Sequence, residues 1–161
     1  MPPNIIDIEA SGFGYESYPI EVGVILNTGE KYCSLIKPVS RWVFWSLDAE
    51  NTHHISRELL QESGKPVMQV ANELNQFLQN KTVYSDGWVV DKPWLNELFA
   101  AAKIPNVFSI SPLEFILDEY QMENWHATKN SVVKEFGFAR HRASNDAMII
   151  QETYRRTRIR F

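Results

Sequence analysis

The stretch Asn4–Gly12, which has the sequence NIIDIEASG, decides the predicted fold. Its first half is rich in branched apolar residues and is followed by a turn signal, a pattern typical of a β-strand. Because the apolar run lacks polar alternation, we expect a strand that is buried on both faces within a parallel or mixed sheet. Asp7 and Glu9 interrupt this run.

Asp7 and Glu9 are two residues apart, so their side chains point to the same face of the strand, roughly 6.6 Å apart along it. Two bare carboxylates on a buried strand would each cost several kcal/mol and would repel one another. A divalent ion that prefers oxygen ligands, Mg²⁺ or Mn²⁺, would offset that cost. The alternative is a frayed strand end with both acids in water, and this stretch alone does not decide between the two interpretations.

Length and composition predict one globular unit. A chain of 161 residues suits a single α/β domain, which we expect to span residues 1–161. The chain has one cysteine, Cys33, so neither an internal disulfide nor a Cys/His zinc site is expected. Neither a signal peptide nor an apolar run of membrane-spanning length is evident, which predicts a cytoplasmic protein without a membrane partner.

The net charge of −4 is unlike that of most nucleic-acid-binding proteins. Two divalent ions on four carboxylates would bring the charge of the loaded protein close to zero. Arginines crowd the last part of the chain, at Arg140, Arg142, Arg155, Arg156, Arg158 and Arg160. They could form a solvated helix face or contact phosphates, and composition does not choose between these roles.

Residue patterns along the chain predict a mixed α/β architecture. The predicted strands are the opening stretch, Pro19–Asn27, Lys31–Lys37, Thr82–Tyr84 and Val107–Ile110. The predicted helices are Pro66–Leu78, Asp91–Lys103, Ser111–Tyr120, His126–Phe136 and Ala143–Arg158. The short turn at Asn27–Glu30 predicts an antiparallel hairpin. A hairpin followed by alternating helices and strands implies a mixed sheet of about five strands with helices on both faces.

Three later acids could complete a site with Asp7 and Glu9. Asp86 follows the fourth predicted strand, where an acid is also an ordinary turn residue. Asp91 comes two residues before Pro93, where it is also typical of a helix N-cap. Asp146 lies early in the last helix, where the helix dipole alone favours an acid. The residues themselves leave the choice between Asp86 and Asp91 open.

His141 precedes Asp146 by five positions, an offset of roughly 140° around a helix, so the two cannot share one helical face. We therefore expect His141 in the loop before the helix and Asp146 on the helix itself. A mobile imidazole beside a fixed ligand suits proton transfer from a water. A histidine in a loop is also commonly a plain surface residue.

The segment Asp7–Phe13 resembles the first motif of the DEDDh 3′–5′ exonucleases, a family that includes the proofreading subunit of the bacterial replicative polymerase, RNase T and oligoribonuclease. Other segments resemble later parts of that family in the same order along the chain. They are Ile20–Val24 for the second strand, Thr52–Ser56 for a His-containing turn near the substrate, Asp86–Asp91 for the second motif and His141–Ala147 for the third. Each motif is weak alone, but together they span nearly the whole chain.

The resemblance implies an RNase H-like fold and makes Asp91, not Asp86, the third carboxylate. It implies that two Mg²⁺ or Mn²⁺ ions are bound, that His141 is the general base, and that 5′-mononucleotides leave the 3′ end of single-stranded RNA or DNA. The implied metal ligands are Asp7, Glu9, Asp91 and Asp146. The implied substrate-binding residues are Ser11, Gly12, Phe13, His53, His54 and Arg142, with Phe13 stacked on the terminal base.

The sequence departs from the family pattern at Ala10, Asp86, Gly87 and Val90, and these departures leave the substrate preference open. The chain ends soon after the third motif, so we expect a free-standing nuclease without a polymerase-binding extension. Trp42 and Trp45 could line the path of the nucleic acid, pack in the core or form a homodimer contact.

Two other classes of function fit parts of the pattern. A non-catalytic nucleic-acid-binding or scaffold protein on the same fold would not need a bound metal, so a metal-binding assay separates it. An RNase H-like endonuclease would cut a covalently closed circular substrate, which an exonuclease leaves intact.

Overall fold

A mixed sheet forms the centre of the structure, a computed structural model that describes residues 1–137 and 139–159. Its strands are β1 (Ile5–Ala10), β2 (Pro19–Ile25), β3 (Lys31–Leu35), β4 (Thr82–Ser85) and β5 (Ser109–Pro112). The strand order is β3-β2-β1-β4-β5. The first three strands are antiparallel, whereas β4 runs parallel to β1 and β5 runs parallel to β4. The predicted hairpin and mixed five-stranded sheet are therefore confirmed.

Helices cover both faces of this sheet, as predicted. They are α1 (Leu47–His53), α2 (Arg57–Ser63), α3 (Val67–Leu78), α4 (Trp88–Ala102), α5 (Glu119–Phe136) and α6 (Ala143–Arg158), with a short 3₁₀ helix at Leu113–Ile116. The helices α3 and α4 share one core with the sheet, while α6 packs on the opposite face and carries α5 on its outer side. Within the described ranges, no helix combines the length and the apolar character needed to cross a bilayer.

The two faces of β1 have different partners. Ile6 and Ile8 belong to the larger core with α3 and α4, whereas Ile5 belongs to the smaller core under α6. Because side chains alternate along a strand, Asp7 and Glu9 lie on the same face as Ile5. The acids therefore face α6, the helix that carries Asp146.

The close approach of α6 to the sheet depends on Gly23 in β2, which pairs with Asp7 of β1. A Cβ atom on Gly23 would lie only 2.4 Å from the backbone carbon of Ala143 and from the backbone nitrogen of Ser144. The missing side chain thus leaves room for the first turn of α6 to rest on β2. This contact sets the distance between Asp146 and the acids of β1.

We expect Gly23→Ala to destabilise the protein by about 1–3 kcal/mol, because the new methyl group would push against the backbone of α6. Urea denaturation measures this change in the free energy of unfolding. Gly14→Ala is the matched control, since the atoms nearest to a Cβ there are 3.7 Å away. Equal stability of the two variants would contradict the close-approach argument.

The helices α1 and α2 were not predicted. Each has seven residues, too few for an apolar period to be recognisable in the sequence. Both begin at a serine cap: the Ser46 hydroxyl accepts a hydrogen bond from the Ala49 N–H at 3.2 Å, and the Ser56 hydroxyl accepts one from Leu59 at 3.1 Å. These serine caps were the signal that could have located the two helices.

The predicted helix at His126–Phe136 is confirmed as the second part of a longer helix. The predicted helix at Ser111–Tyr120 was wrong, since only a short 3₁₀ helix lies within that range. The strand β5 extends to Pro112, two residues beyond its predicted end, and α5 is one continuous helix of 18 residues. A capping box between Asp118 and Gln121 starts α5. The first turns of this helix are rich in polar residues, so apolar periodicity did not reveal its true beginning.

Candidate metal centre and active site

The carboxyl ends of the parallel strands β1 and β4 meet at one edge of the sheet, where the structure brings together all the predicted carboxylates and His141. Potential ligand atoms lie within 4.8 Å of one another in each of two groups. One group is Asp7, Asp86 and Asp91, and the other is Glu9, His141 and Asp146. Members of both groups line a cavity of about 210 Å³. Asp86, which the local sequence left as an alternative to Asp91, lies beside Asp7 together with Asp91.

Asp7 lies in an unfavourable electrostatic environment. Its Oδ2 atom is buried and has no hydrogen-bond partner among the described residues. Burial, followed by the nearby charge of Asp91 and then of Glu9, raises the pKa of Asp7 well above its ordinary value. Burial also raises the pKa of Glu9 to about 8, with Asp146 and Glu21 as the next causes. Positive charge placed among these groups would relieve both the desolvation and the repulsion.

Asp91 lies inside α4 and is not its N-cap. The cap is Gly87, so the helix begins three residues before its predicted start, and Pro93 falls within the helix. The buried Asp91 carboxylate accepts a hydrogen bond of 2.6 Å from the Ser85 hydroxyl. Burial raises the pKa of Asp91 to about 8, and the Ser85 bond opposes that rise. Ser85 is a site residue that the sequence analysis missed, although it directly precedes Asp86.

In EDTA, we expect the free energy of unfolding to fall as the pH rises from about 4 to about 8. Glu9 has an ordinary pKa of 4.5 and a folded pKa of about 8, so the folded protein holds a proton that the unfolded chain releases in this range. The folded state is therefore favoured at low pH and loses this advantage as the pH rises. Denaturant titrations at several pH values measure the slope. Glu9→Gln should show a smaller slope, and an identical slope would contradict the assignment.

His141 lies in the loop before α6 and Asp146 lies on α6, as predicted. The backbone N–H of His141 is 3.2 Å from each oxygen of the Asp146 carboxylate, which also accepts a hydrogen bond from Arg140 Nε at 3.1 Å. His141 has a φ of +60°, the left-handed region that few side-chain-bearing residues adopt. The loop thus fixes the Asp146 carboxylate through its backbone and leaves the imidazole beside Glu9.

An ion pair between the buried Glu21 and the half-buried Arg142 connects the start of α6 to β2. The Glu21 side chain is 1% exposed, and its carboxylate accepts hydrogen bonds from the Arg142 guanidinium at 2.6 Å and from the Ala143 N–H at 2.8 Å. This pair was not predicted from the sequence, although an acid inside the apolar run Ile20–Val24 indicates that a partner is needed. A substrate contact by Arg142 stays a prediction.

Several predicted substrate-binding residues have clear structural roles. Ser11 is buried and exchanges hydrogen bonds with the backbone of Tyr18, at 3.0 and 3.1 Å. A Cβ on Gly12 would lie 2.5 Å from the ring of Phe44. The buried His53 accepts a hydrogen bond from the Ile55 N–H at 3.0 Å, and burial lowers the pKa of its imidazole. His54 is exposed and caps α1 with a φ of +58°. Substrate contacts by these residues stay predictions.

A larger cavity of about 560 Å³ opens beside the loop that follows β1. It is lined by Phe13–Ser17, Arg41, Trp42, Val89, Val90, Pro93, Trp94 and Glu97. Phe13 is 70% exposed at this cavity, whereas Trp42 is buried and stacks on Tyr18 with 5.3 Å between ring centroids. Val90 lines this cavity and directly precedes Asp91, so the first turn of α4 contributes residues to both the cavity and the acidic site.

Comparisons with known proteins identify the fold. No family model matches the chain, and no curated protein matches it. A solved structure of E. coli Exonuclease I with a dA16 oligonucleotide superimposes on 92% of this chain, with a TM-score of 0.69 and 11% identity. The chain has the fold of the matched part of Exonuclease I. The expectation of an exonuclease-like fold is thus confirmed.

Two further Exonuclease I structures show the same likeness. A zinc-bound complex of the E. coli protein with single-stranded DNA covers 96% of this chain at a TM-score of 0.68 and 14% identity. The moderately thermophilic Exonuclease I of Methylocaldum szegediense covers 76% of it at a TM-score of 0.58 and 15% identity. This chain spans only 39% and 40% of the two E. coli Exonuclease I chains, and 29% of the M. szegediense chain.

Most of the arginines near the end of the chain are paired with carboxylates. Arg140 contacts Asp146 and Arg142 contacts Glu21. Arg155 and Arg156 both contact Glu152 of their own helix. The pairs on α6 favour a solvated helix face for this part of the cluster, and Arg160 lies outside the described residues.

Proposed function

We propose that the chain is a metal-dependent 3′–5′ exonuclease that releases 5′-mononucleotides from single-stranded nucleic acid. The observation that carries the proposal is the convergence of five carboxylates and a histidine at one sheet edge, on the fold of Exonuclease I. Both groups of potential ligands contain members that the sequence motifs selected. A scaffold protein would have no need to keep these mutually repelling acids together.

The residues present fit divalent metal. The potential ligands are mostly carboxylate oxygens, which suit Mg²⁺ or Mn²⁺, and the buried Asp7 Oδ2 has no partner within the described chain. Asp7, Glu9, Asp91 and Asp146 would hold two ions, and Asp86 adds a further oxygen donor. When bound, such ions stabilise the charge on a phosphodiester and acidify a water molecule. A related support is that E. coli Exonuclease I has a zinc-bound form in complex with single-stranded DNA.

His141 is proposed as the general base. Its imidazole lies beside Glu9 and Asp146, and its backbone rather than its side chain secures the Asp146 carboxylate. The ring is therefore free of that structural role and can accept the proton of the attacking water at one of its nitrogens. The same position also allows the imidazole to bind metal, an alternative that mutagenesis can separate.

The 560 Å³ cavity beside Phe13 is proposed to receive the terminal nucleotide. Aromatic side chains line it, and one lining residue, Val90, directly precedes the site residue Asp91. Oligonucleotides of dA16 and of dT13 bound to E. coli Exonuclease I favour single-stranded DNA as the substrate class here, with RNA as the second candidate. A single catalytic domain, a cytoplasmic setting and a homodimer stay predictions from the sequence.

Digestion of matched single-stranded DNA and RNA oligomers in Mg²⁺ tests the proposal. Stepwise shortening from the 3′ end, with 5′-mononucleotides as products, is the expected result. A covalently closed circular DNA should remain intact under the same conditions. Cleavage of the circle would indicate an endonuclease, and a wild-type protein that binds Mg²⁺ but degrades neither oligomer would contradict the proposed activity.

We expect Phe13→Ala to raise KM roughly 5- to 150-fold, which corresponds to the loss of about 1–3 kcal/mol of base stacking. Metal binding should be unchanged, because Phe13 lies outside both groups of potential ligands. Steady-state kinetics on an oligomer and calorimetry with Mg²⁺ measure the two effects. Phe115→Ala is the control, since Phe115 is similarly exposed but lies away from the cavity. Unchanged kinetics in Phe13→Ala would leave Phe13 with a structural role only.

A further inference from the structure

The cavity that contains the carboxylates also contains two basic side chains, Lys129 from α5 and Arg140 from the loop before α6. Lys129 Nζ lies 3.4 Å from an oxygen of Asp86, and Arg140 Nε lies 3.1 Å from an oxygen of Asp146. The side chains of Lys129 and Arg140 are 23% and 35% exposed, so both lie partly inside the cavity. The DEDDh motifs assign neither residue a role.

Structural stabilisation explains these two ion pairs poorly. Each pair is made through a single contact and remains partly open to water, a situation in which an ion pair contributes about 0–1 kcal/mol. The Glu21 carboxylate, which is buried and accepts several hydrogen bonds from Arg142 and Ala143, already anchors the start of α6. The positions of Lys129 and Arg140 are therefore better explained by binding of a ligand inside the cavity.

Divalent metal would compete with both pairs. Asp146 and Asp86 are potential metal ligands, and a carboxylate oxygen that binds an ion attracts a neighbouring ammonium or guanidinium group less strongly. The two basic groups would then be available to bind another anion within reach. A phosphate group fits both, because lysine offers up to three donors and arginine a planar fork that matches phosphate oxygens.

We propose that Lys129 and Arg140 bind the phosphate group of the 3′-terminal nucleotide. They exchange their carboxylate partners for phosphate oxygens when divalent ions occupy the acidic site. This inference rests on the proposed function, whose substrate and product both carry that phosphate. It assigns α5 a direct contact with the substrate, and it gives Asp86 the role of holding Lys129 in place beforehand.

Calorimetry on Lys129→Gln tests the proposal in two titrations. The first uses MgCl₂ alone, for which we expect an affinity no weaker than in the wild type, because a competing cation has been removed. The second uses thymidine 5′-monophosphate in saturating Mg²⁺, for which we expect an affinity about tenfold lower, the loss of one charge-assisted contact. Thymidine, which lacks the phosphate, should bind both proteins equally.

Two further variants sharpen the comparison. Lys129→Arg keeps the charge and should retain most of the nucleotide affinity. Lys134→Gln removes a lysine from an exposed position of the same helix, outside the cavity, and should behave as the wild type in every titration.

The proposal is overturned if Lys129→Gln binds the nucleotide as tightly as the wild type, or if it loses Mg²⁺ affinity. A wild-type protein that binds Mg²⁺ but not thymidine 5′-monophosphate also overturns it. A different result bears on the exonuclease proposal alone. If the wild type binds the nucleotide, Lys129→Gln binds it weakly, and no oligomer is degraded, then the phosphate site stands and the proposed activity fails.

Discussion

Asp7→Asn is expected to abolish divalent-metal binding and nuclease activity together, and EDTA is expected to abolish the activity of the unchanged protein. Asp7 occupies the centre of the acidic site, since the charges of Asp91, Glu9, Asp86 and Asp146 all raise its pKa. Asparagine keeps the shape of the side chain but replaces one anionic oxygen with an N–H donor. The substitution therefore removes the ligand without removing the packing.

Thermal and denaturant unfolding give a readout that does not depend on turnover. Mg²⁺ at 100 times its dissociation constant should stabilise the wild type by about 2.7 kcal/mol, and it should not stabilise Asp7→Asn. In EDTA the variant should be at least as stable as the wild type, because it lacks the buried acid whose ionisation is opposed by burial and by like-charged neighbours. Asp48→Asn, at an exposed position of α1, is the control and should keep both metal binding and activity. Full activity in EDTA would exclude the two-metal mechanism.

Local patterns were sufficient to predict the elements that carry the site. The strand β1, the hairpin that follows it and the bounds of α6 were predicted closely, because each has a strong apolar pattern and a clear turn or start signal. The placement of His141 in a loop followed from helix geometry alone, since five residues do not return to the same helical face. These elements carry three of the four predicted carboxylates.

Contacts between distant parts of the chain could not be predicted. Arg142 follows its partner Glu21 by 121 positions, and Lys129 follows Asp86 by 43. A charged residue needs either water or a partner of opposite charge, but the sequence does not indicate which residue that partner is. The close packing of α6 on Gly23 could not be predicted either. A glycine in a strand suggests a bulge or a close approach, but it does not indicate which element approaches.

The start of α4 shows a conflict between two local signals. Proline is common in the first turn of a helix, so Pro93 placed the predicted start at Asp91. The helix instead begins at Trp88 and tolerates Pro93 inside it. Val89, whose carbonyl group loses its usual donor to that proline, is 79% exposed and can be solvated by water. Because the helix starts earlier, Asp91 lies within its first turns, at a buried position beside Ser85 and Asp7.

His141→Ala is expected to lower activity roughly 10²- to 10⁴-fold, the usual contribution of a positioned general base. Metal affinity should remain close to that of the wild type. The physical reason is that the backbone N–H of His141, not its imidazole, contacts the Asp146 carboxylate. Removing the ring therefore leaves the ligand in place.

The left-handed backbone at His141 calls for a second variant, because alanine is less suited than histidine to a φ of +60°. His141→Asn preserves the backbone preference while removing the imidazole, so it should lose activity to the same extent with less risk to the loop. Asp146→Asn is the comparison that decides the role of the ring. Calorimetry should show metal binding weakened in Asp146→Asn and retained in both His141 variants. If both His141 variants lose metal as severely as Asp146→Asn, the imidazole is a metal ligand beside Glu9, and the proton of the attacking water must leave by another route.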